Sequence, residues 1–350
     1  MIPGKELTTI NYKIELNGIP LLPQVRSMVT RVEFVEEVNL PSMFRIFFAT
    51  GSLGDLFLKF LTMEVFDIGT EVKLYLGSGK SELMMVGDVT YIEPKFTQDA
   101  SHVEIRGYDR LHKLRLGKKT KTYLDIKDSD LASQLAGNWG LQADADLTES
   151  LFPHLFQNNL SDYEFLKERA RRIRYEIGAR ENTLLFKKPN EAEFPRLFLE
   201  YGNDLRVFSA SYGVGTAGDT FDVKGWDYMN KEVIEASATS GDELSRMEAR
   251  QTGAEKSKEV FGAAASVLLD DIPLDEGEAK VLAAAGYNHA LARSVNAKGQ
   301  ITGDPAFRIS KTLRLSKLGN FSGTYYISKT RHIMDQDGYV TDLEMRRTGL

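Results

Sequence analysis

The stretch Val103-Glu104-Ile105-Arg106-Gly107-Tyr108-Asp109 has an echo later in the chain, Phe221-Asp222-Val223-Lys224-Gly225-Trp226-Asp227. In both copies an apolar residue, an acid, a β-branched residue and a base precede glycine, an aromatic residue and Asp. Each copy has the pattern of a strand that reaches a glycine, where the chain can bend sharply or another backbone can approach closely. Repeated spacing of this kind can mark duplicated structural units. We interpret the echo as duplication of a β-domain; the alternative is two copies of a ligand site, but neither copy has site-like neighbours.

The first third of the chain has strand patterns around the first copy. Residues 72–76 alternate between apolar and polar or amphipathic side chains, and residues 44–48 do so less regularly, which is the pattern of half-buried strands. Turn-forming glycine and serine residues at 51–52 and 77–79 separate such runs. Several short strands separated by turns predict a β-barrel or a sandwich.

A helix followed by a hairpin is predicted between the two copies. Ser161 and Glu164 have the spacing of a capping box, in which each side chain bonds to the other residue's backbone amide. Apolar residues within 165–173 share one helical face, and we interpret the charged residues between them as solvent-exposed. Residues 173–186 then alternate as two strands around a turn. Another helix is predicted after the capping residues at 128–130.

The remainder of the chain is predicted to be helical at first and then β. Residues 236–300 are rich in Ala, Ser, Glu and Lys, and residues 278–297 have helical composition. Residues 307–347 have strand patterns again, with a turn at 336–338.

The composition is that of a folded protein with more than one core. The chain has 350 residues, which at roughly 150 residues per domain predicts two or three domains. A formal net charge of -6 gives no overall attraction to nucleic acid. The absence of Cys excludes disulfides, thiolate metal sites and a cysteine nucleophile. There is no signal-peptide pattern and no long apolar run, so no direct membrane insertion is expected.

No motif in the sequence supports a catalytic, cofactor-binding or metal site. The five histidines are not at metal-ligand spacing, and the acidic cluster within 270–276 lacks the alternating ligands and the glycine of a calcium-binding loop. Residues 79–81 are similar to the end of a phosphate-binding loop, but Leu74 stands where the opening glycine should be. We therefore predict no catalytic residue, no cofactor and no metal ligand. The basic stretch 118–121 could meet an acidic partner, but an exposed loop is the simpler interpretation.

Three stretches of the chain resemble the phage late control gene D family, which includes the hub part of VgrG-like spike proteins. The first is the helix that begins with Leu160-Ser161-Asp162-Tyr163-Glu164-Phe165-Leu166, with the hairpin that follows it to Phe186. The second is Val223-Lys224-Gly225-Trp226-Asp227 with Lys231 and residues 234–236. The third is Gly323-Thr324-Tyr325-Tyr326-Ile327, then His332 and residues 337–345. Their order along the chain matches that of the family.

The resemblance implies an α+β, mostly β fold with two tube-like antiparallel β-barrel domains and an outer α/β helix-hairpin domain. On this sequence, residues 1–115 would form the first tube-like barrel and residues 116–196 the outer α/β domain. Residues 197–235 together with 305–350 would form the second barrel, and residues 236–304 a helical and loop insertion.

The resemblance also implies a structural function and no enzymatic activity. The expected protein is the baseplate hub of a contractile phage tail or phage-like injection system. Three subunits with two similar domains each would form a homotrimer that meets a hexameric tail tube protein on one face and a threefold central spike protein on the other. Baseplate wedge or adaptor proteins are further expected partners, and nucleic acid is not. The hub would be assembled in the bacterial cytoplasm and become part of a virion tail or of an injection-particle baseplate.

Two alternatives to this expectation stay open. A tail-associated peptidoglycan-degrading or carbohydrate-binding protein is the alternative function. VgrG-like proteins continue into an OB-like domain and a β-helical needle, whereas this sequence ends at Leu350 just after the hub motifs. The spike is therefore either a separate polypeptide, or this sequence is only the hub portion.

Overall fold

The fold is mostly β, as predicted, and most of its strands are antiparallel. A computed structural model describes residues 10–49, 65–96, 101–214, 218–228, 230–268 and 272–350. For residues 10 and 96 it describes the backbone only. The strands are β1 (Ile10–Leu16), β2 (Ile19–Pro20), β3 (Val29–Glu37), β4 (Met43–Ala49), β5 (Glu71–Ser78), β6 (Lys80–Phe96), β7 (Ser101–Asp109), β8 (Lys119–Ile126), β9 (Gln142–Ala145), β10 (Phe152–Leu160), β11 (Glu176–Arg180), β12 (Thr183–Lys187), β13 (Leu197–Glu200), β14 (Leu205–Tyr212), β15 (Thr220–Asp227), β16 (Glu232–Ala238), β17 (Ala265–Leu268), β18 (Val295–Thr302), β19 (Thr312–Ser316), β20 (Gly323–Asp335) and β21 (Gly338–Arg347). The α-helices are α1 (Pro23–Arg26), α2 (Asp128–Asn138), α3 (Asp162–Arg172), α4 (Gly253–Phe261) and α5 (Glu276–Leu291), and 3-10 helices span Arg110–Arg115 and Gly319–Phe321.

One large sheet of 13 strands organises the molecule. Its main path runs β14-β18-β21-β20-β3-β4-β7-β6-β5-β1-β2, and β19 with β13 branches from β20. The period-two patterns of the first third are confirmed as β4 and β5, in which the alternate apolar side chains are fully buried: Phe44, Ile46, Phe48, Val72, Leu74 and Leu76. The predicted turn at 77–79 is the tight connection between β5 and β6, where Gly79 has a φ of 83°. The turn predicted at 51–52 lies outside the described residues.

Two hydrophobic cores lie against this sheet, and the long hairpin β20–β21 joins them. The first core is built mainly by β1 and β3–β7, and the second by β13, β14 and β18–β21. At its far end the hairpin contributes Met334 and Tyr339 to the first core, and nearer its base it contributes Ile327 and Leu343 to the second. A bulge after Ile327 accompanies a change of partner, because β20 pairs with β19 before it and with β3 after it.

Residues 119–187 form an α/β unit with its own core, and its helix-hairpin prediction is confirmed. Ser161 and Glu164 make both bonds of the capping box at the start of α3, and β11 pairs with β12 as the predicted hairpin. Two details of the prediction are wrong. Helix α2 begins after Lys127, which makes no side-chain cap bond. The stretch 118–121 is no loop, because β8 starts at Lys119 and pairs with β10.

The charged face predicted for α3 is also wrong at two positions. The Arg172 side chain is 10% exposed and pairs with Glu278 of α5 at 2.7 Å. Arg169 is buried and donates to both carboxylate oxygens of Asp128, at 2.6 Å and 3.0 Å. Periodicity along one helix could not show this, because the counter-ion lies on another helix.

The α/β unit is attached to the large sheet through a buried ionic cluster. Glu191 accepts from Arg174 at 2.8 Å and from Arg346 of β21 at 2.9 Å. Arg346 also donates to Glu176 at 3.2 Å, and the hydroxyl of Tyr326 donates to Glu176 at 2.6 Å. We call Arg174, Glu176, Glu191 and Arg346 the junction cluster.

A separate small sheet, β16-β15-β17, packs on α5 and requires a correction. The sequence prediction put residues 220–235 in the second barrel and residues 295–302 in the insertion. Among the described strands, β15 and β16 instead pair within the small sheet alone, whereas β18 pairs with β14 and β21 in the large sheet. The two copies of the echo thus lie in different sheets, β7 in the large one and β15 in the small one, so they do not mark equivalent strands of two similar sheets.

Close approach, and not a sharp bend, explains the glycines of the echo. Gly107 and Gly225 lie inside extended strands and neither has a positive φ. A Cβ on Gly107 would lie 2.4 Å from the ring of Phe44, and a Cβ on Gly225 would lie 2.7 Å from the ring of Pro273. Gly286 has the same role in α5, because the ring of Phe221 packs directly on it.

Candidate functional site: a charged face on the large sheet

The most extensive polar arrangement is on the sheet face opposite the two hydrophobic cores. Successive side chains of a strand point to opposite faces, so the buried apolar residues of each strand leave the alternate positions on this face. Across seven neighbouring strands, β18-β21-β20-β3-β4-β7-β6, these positions carry charges that pair between strands. We call the set the charge ladder: Arg31, Glu33, Glu37, Arg45, Glu93, Glu104, Arg106, Lys298, Lys329, Arg331 and Glu344.

At one end, lysines bridge the carboxylates of neighbouring strands. Lys298 of β18 lies 3.6 Å from Glu344 of β21. Lys329 of β20 lies 3.9 Å from Glu344 and 3.0 Å from Glu37 of β3. The hydrogen bond to Glu37 raises the pKa of Lys329, although burial opposes this.

At the centre, three guanidinium groups surround one carboxylate. Glu33 is only 2% exposed, and its oxygens lie 2.5 Å from Arg31, 3.4 Å from Arg45 and 3.1 Å from Arg331. Arg45 also stacks over the ring of Phe47 at 4.9 Å. A carboxylate this buried requires such partners, because an unpaired buried charge is costly.

At the other end, Glu104 of β7 receives two arginines. Arg45 lies 2.7 Å and Arg106 3.0 Å from the same carboxylate oxygen. Burial alone would raise the pKa of Glu104, but hydrogen bonds and attraction from the two guanidinium groups lower it below its ordinary value. Arg106 also lies over the ring of Tyr91 at 4.5 Å.

The charge ladder is a fixed and nearly neutral surface. It has six bases and five acids, each within 4.0 Å of an opposite charge. Because the charges satisfy one another, such a face can remain wet without strongly attracting either sign of charge. Nothing in the arrangement resembles a nucleophile with an activating base.

The histidine, the basic stretch and the acidic cluster named from the sequence lie away from the charge ladder, and their side chains make structural contacts. His332 is fully buried: its Nε2 donates to the carbonyl of Phe307, so Nδ1 accepts from the hydroxyls of Tyr339 and Thr341. Burial lowers the pKa of His332 to about 3. From the basic stretch, Lys119 pairs with Asp162 at 2.6 Å. In the acidic cluster, Asp275 caps α5, while residues 270–271 lie outside the described residues.

The described ranges contain neither a metal-binding cluster nor a membrane-spanning helix. No group of three or more His, Asp or Glu side chains there could hold a metal ion. No helix in those ranges is long and apolar enough to cross a membrane.

Comparison with known proteins places the chain in a family. A family model described as the Alg8 N-terminal domain matches residues 6–336. The chain belongs to the Alg8 N-terminal domain family. The sequence motifs, in contrast, resemble the late control gene D family. Membership of that family stays a prediction. No curated protein matches the sequence.

Solved structures with a similar fold come from phage tails and secretion systems. The 43 kDa tail protein of prophage MuSo2 from Shewanella oneidensis is 11% identical to this Alg8 N-terminal domain chain, with a TM-score of 0.73 over 97% of this chain and 99% of its own. An E. coli component of the type VI secretion system is 10% identical, with a TM-score of 0.60 over 96% and 76%. A chain of the Francisella PdpA-VgrG complex is 8% identical, with a TM-score of 0.57 over 99% and 59%. At these identities the likeness shows a shared fold.

Proposed function

We propose that this chain is the hub subunit of a contractile phage tail or of a phage-derived injection system. In this proposal, three copies form a ring between a hexameric tail tube protein and a threefold central spike protein. The observation that carries the proposal is the large sheet, which has two cores on one side, a charge ladder on the other and, at both ends, edges that no further described strand covers. The similar folds of phage tail and secretion-system proteins support the same conclusion.

The two halves of the large sheet supply the required symmetry. The half formed by β1 and β3–β7 and the half formed by β13, β14 and β18–β21 each pack around a separate core. We assign these halves as the two tube-like units of each subunit. Three subunits would then present six units to a hexameric tube while keeping threefold symmetry toward the spike.

The ends of the sheet provide a way to close the ring. Among the described residues, β14 pairs only with β18, and β1 pairs with β5 along its length but with β2 only at Glu15 and Leu16. Open edges expose unpaired backbone groups that accept a strand from another chain. Pairing of the β14 edge of one subunit with the β1 edge of the next is a head-to-tail contact, which closes into a ring when three successive rotations between subunits complete a full turn.

The charge ladder is assigned to the wall of the central channel. The cores cover the other face of the sheet, so a ring built from these sheets would turn either the ladder or the cores inward. A channel through which a spike or cargo passes needs a hydrated wall that does not bind the passing molecule tightly. The nearly neutral ladder meets this requirement. The α/β unit would then lie outside, where baseplate wedge or adaptor proteins dock, and assembly would take place in the bacterial cytoplasm.

A matched pair of substitutions tests the edge contact. Val207 in the β14 edge is 56% exposed and Val233 in the small sheet is 57% exposed. Val207→Lys should weaken trimer formation about tenfold or more, because an edge lysine opposes strand pairing. Val233→Lys should leave the trimer intact. Sedimentation velocity over a concentration series measures both, and equal association of the two variants would refute the assigned edge.

A peptidoglycan digestion assay separates this proposal from the enzymatic alternative. The purified chain should release no soluble fragments from peptidoglycan, while an added lysozyme should do so in the same preparation. Release of fragments by the chain, removed by heat denaturation, would favour a tail-associated hydrolase instead.

A further inference from the structure

A second polar feature lies away from the charge ladder, in a cavity of about 610 Å³ near the start of β20. The loop 248–251, the end of β19 and the 3-10 helix Gly319–Phe321 line this cavity. Its charged lining residues are Arg250, Arg314, Lys317, Arg347 and Glu248. Four basic side chains thus face one acidic side chain, in a chain whose formal net charge is -6, and a backbone oxygen of Leu350 in the lining accepts from the amides of Arg250 and Gln251.

Arg347 is the residue that gives this cavity its chemistry. It is 2% exposed, and its guanidinium donates to the backbone carbonyls of Met247 and Ser322, both at 3.0 Å. No carboxylate lies within ion-pair distance of it in the described part of the chain. Two other buried arginines, each 7% exposed, differ from it, because Arg169 pairs with Asp128 and Arg174 pairs with Glu191. A buried cation without a counter-ion is unfavourable unless an anion joins it.

The neighbouring bases are only partly neutralised. Glu248 lies 3.5 Å from Arg314 and also accepts a hydrogen bond from Thr324. Lys317 pairs with Glu200 from outside the cavity lining, at 2.6 Å. Arg250 has no ion-pair partner among the described residues. Glu248 is therefore shared between a hydroxyl and Arg314, and Arg250 and Arg347 have no carboxylate within ion-pair distance among the described residues.

We propose that this basic pocket binds an oxyanion, with Arg347 at its base and Arg314 and Lys317 at its mouth. Guanidinium groups match the planar geometry of carboxylate and phosphate oxygens. The ligand is either free phosphate or a carboxylate on an acidic segment of a partner protein. The inference does not depend on the hub proposal, because it rests on the pocket alone.

Titration calorimetry at constant ionic strength tests the pocket and separates the two sources. The probes are inorganic phosphate, a capped peptide of alternating Asp and Glu, and the matching Asn and Gln peptide. The wild-type chain should bind phosphate or the acidic peptide, but not the amide peptide. Acidic peptide that displaces phosphate would identify a protein carboxylate as the ligand, and binding of phosphate alone would identify the free ion.

Variants at the mouth of the pocket keep the test independent of folding. The Arg314 and Lys317 side chains are 49% and 65% exposed, so Arg314→Gln and Lys317→Gln should fold normally. Each should weaken binding about tenfold through the loss of one charge-assisted contact. Arg196→Gln, at a side chain 87% exposed and outside the pocket, is the control and should bind as wild type. Equal binding by all variants, or binding of neither probe, would overturn the proposal.

Discussion

The charge ladder and the junction cluster are both built from pairs of basic side chains and carboxylates, but the two sets differ in burial. In the ladder, ion pairs lie in rows on a sheet face, and most of their side chains are partly exposed, such as Arg45 at 29% and Arg331 at 40%. In the junction cluster, the side chains of Glu191 and Arg174 are 0% and 8% exposed. An Arg-carboxylate pair therefore sets the charge of a surface when it is partly exposed, and holds two units together when it is buried.

The physical reason is desolvation. Partly exposed pairs gain little because water screens them, typically about 0–1 kcal/mol each. Removing one partner of a buried pair costs about 3–5 kcal/mol, because the other charge stays buried without compensation. The ladder therefore sets the charge of a sheet face and contributes little stability, whereas the junction cluster positions the α/β unit on the large sheet.

The largest expected effect is at Glu191, which accepts from both Arg174 and Arg346. Glu191→Gln should lower the free energy of unfolding by about 3–5 kcal/mol, because the buried guanidinium of Arg174 loses its counter-charge and Arg346 keeps only Glu176. Urea denaturation monitored by circular dichroism measures the change. Glu193→Gln is the control, since that side chain is 47% exposed and lies 3.9 Å from Arg196. A similarly small loss of unfolding free energy in both variants would show that the buried pair is no more important for stability than the exposed one.

Acid should act on a buried histidine before it acts on the ladder. The pKa of His332 is lowered to about 3 by burial, from an ordinary 6.5. Between these values the unfolded chain binds a proton at His332 that the folded chain does not, so the contribution of His332 to stability falls as pH falls from about 6.5 toward 3. At about 1.4 kcal/mol per pH unit, the loss from this residue should reach about 3 kcal/mol at pH 4. The pKa of Glu104 is lowered instead, so its contribution is lost only at more acidic pH.

Two readouts check the acid prediction. The imidazole of His332 should show no titration by NMR above pH 4 in the folded chain. His332→Gln should be less stable than wild type at pH 7 and lose less on acidification to pH 4. An imidazole that titrates near pH 6.5 without unfolding would show that His332 is not held as the neutral tautomer.

The smallest expected effect is in the ladder itself. Glu104→Gln should change the free energy of unfolding by about 1 kcal/mol or less, because Arg45 keeps its contact with Glu33 and both arginines reach solvent. The difference from wild type should shrink in 0.5 M NaCl, since salt screens exposed pairs. Denaturation at low and high salt measures this. A loss comparable to that of Glu191→Gln would mean that the ladder also carries the stability of the sheet.

Local sequence signals predicted the elements whose causes are local. The capping box at Ser161 and Glu164 depends on residues three apart, and the β5 strand depends on alternation within 72–76, so both could be found in the sequence. The charge ladder could not be predicted, because Glu33, Arg45 and Arg331 meet only once the register of three strands is fixed. The alternating charges were visible, but their partners were not.

The echo failed as a guide to topology for a related reason. The pattern around Gly107 and Gly225 reports a strand closely approached by another group, which is a local property. Which sheet the strand joins depends on partners far along the chain: β4 and β6 for the first copy, and β16 and β17 for the second. The same limit explains Arg169, whose burial depends on Asp128 of another helix.

Native mass spectrometry combined with single-particle imaging measures the number of chains in the ring and its symmetry. We expect an assembly of three chains of 39.3 kDa, about 118 kDa in total, with threefold symmetry and a central opening lined by the charge ladder. A single 39.3 kDa species at every concentration, or a closed dimer with the ladder on its outer surface, would contradict it.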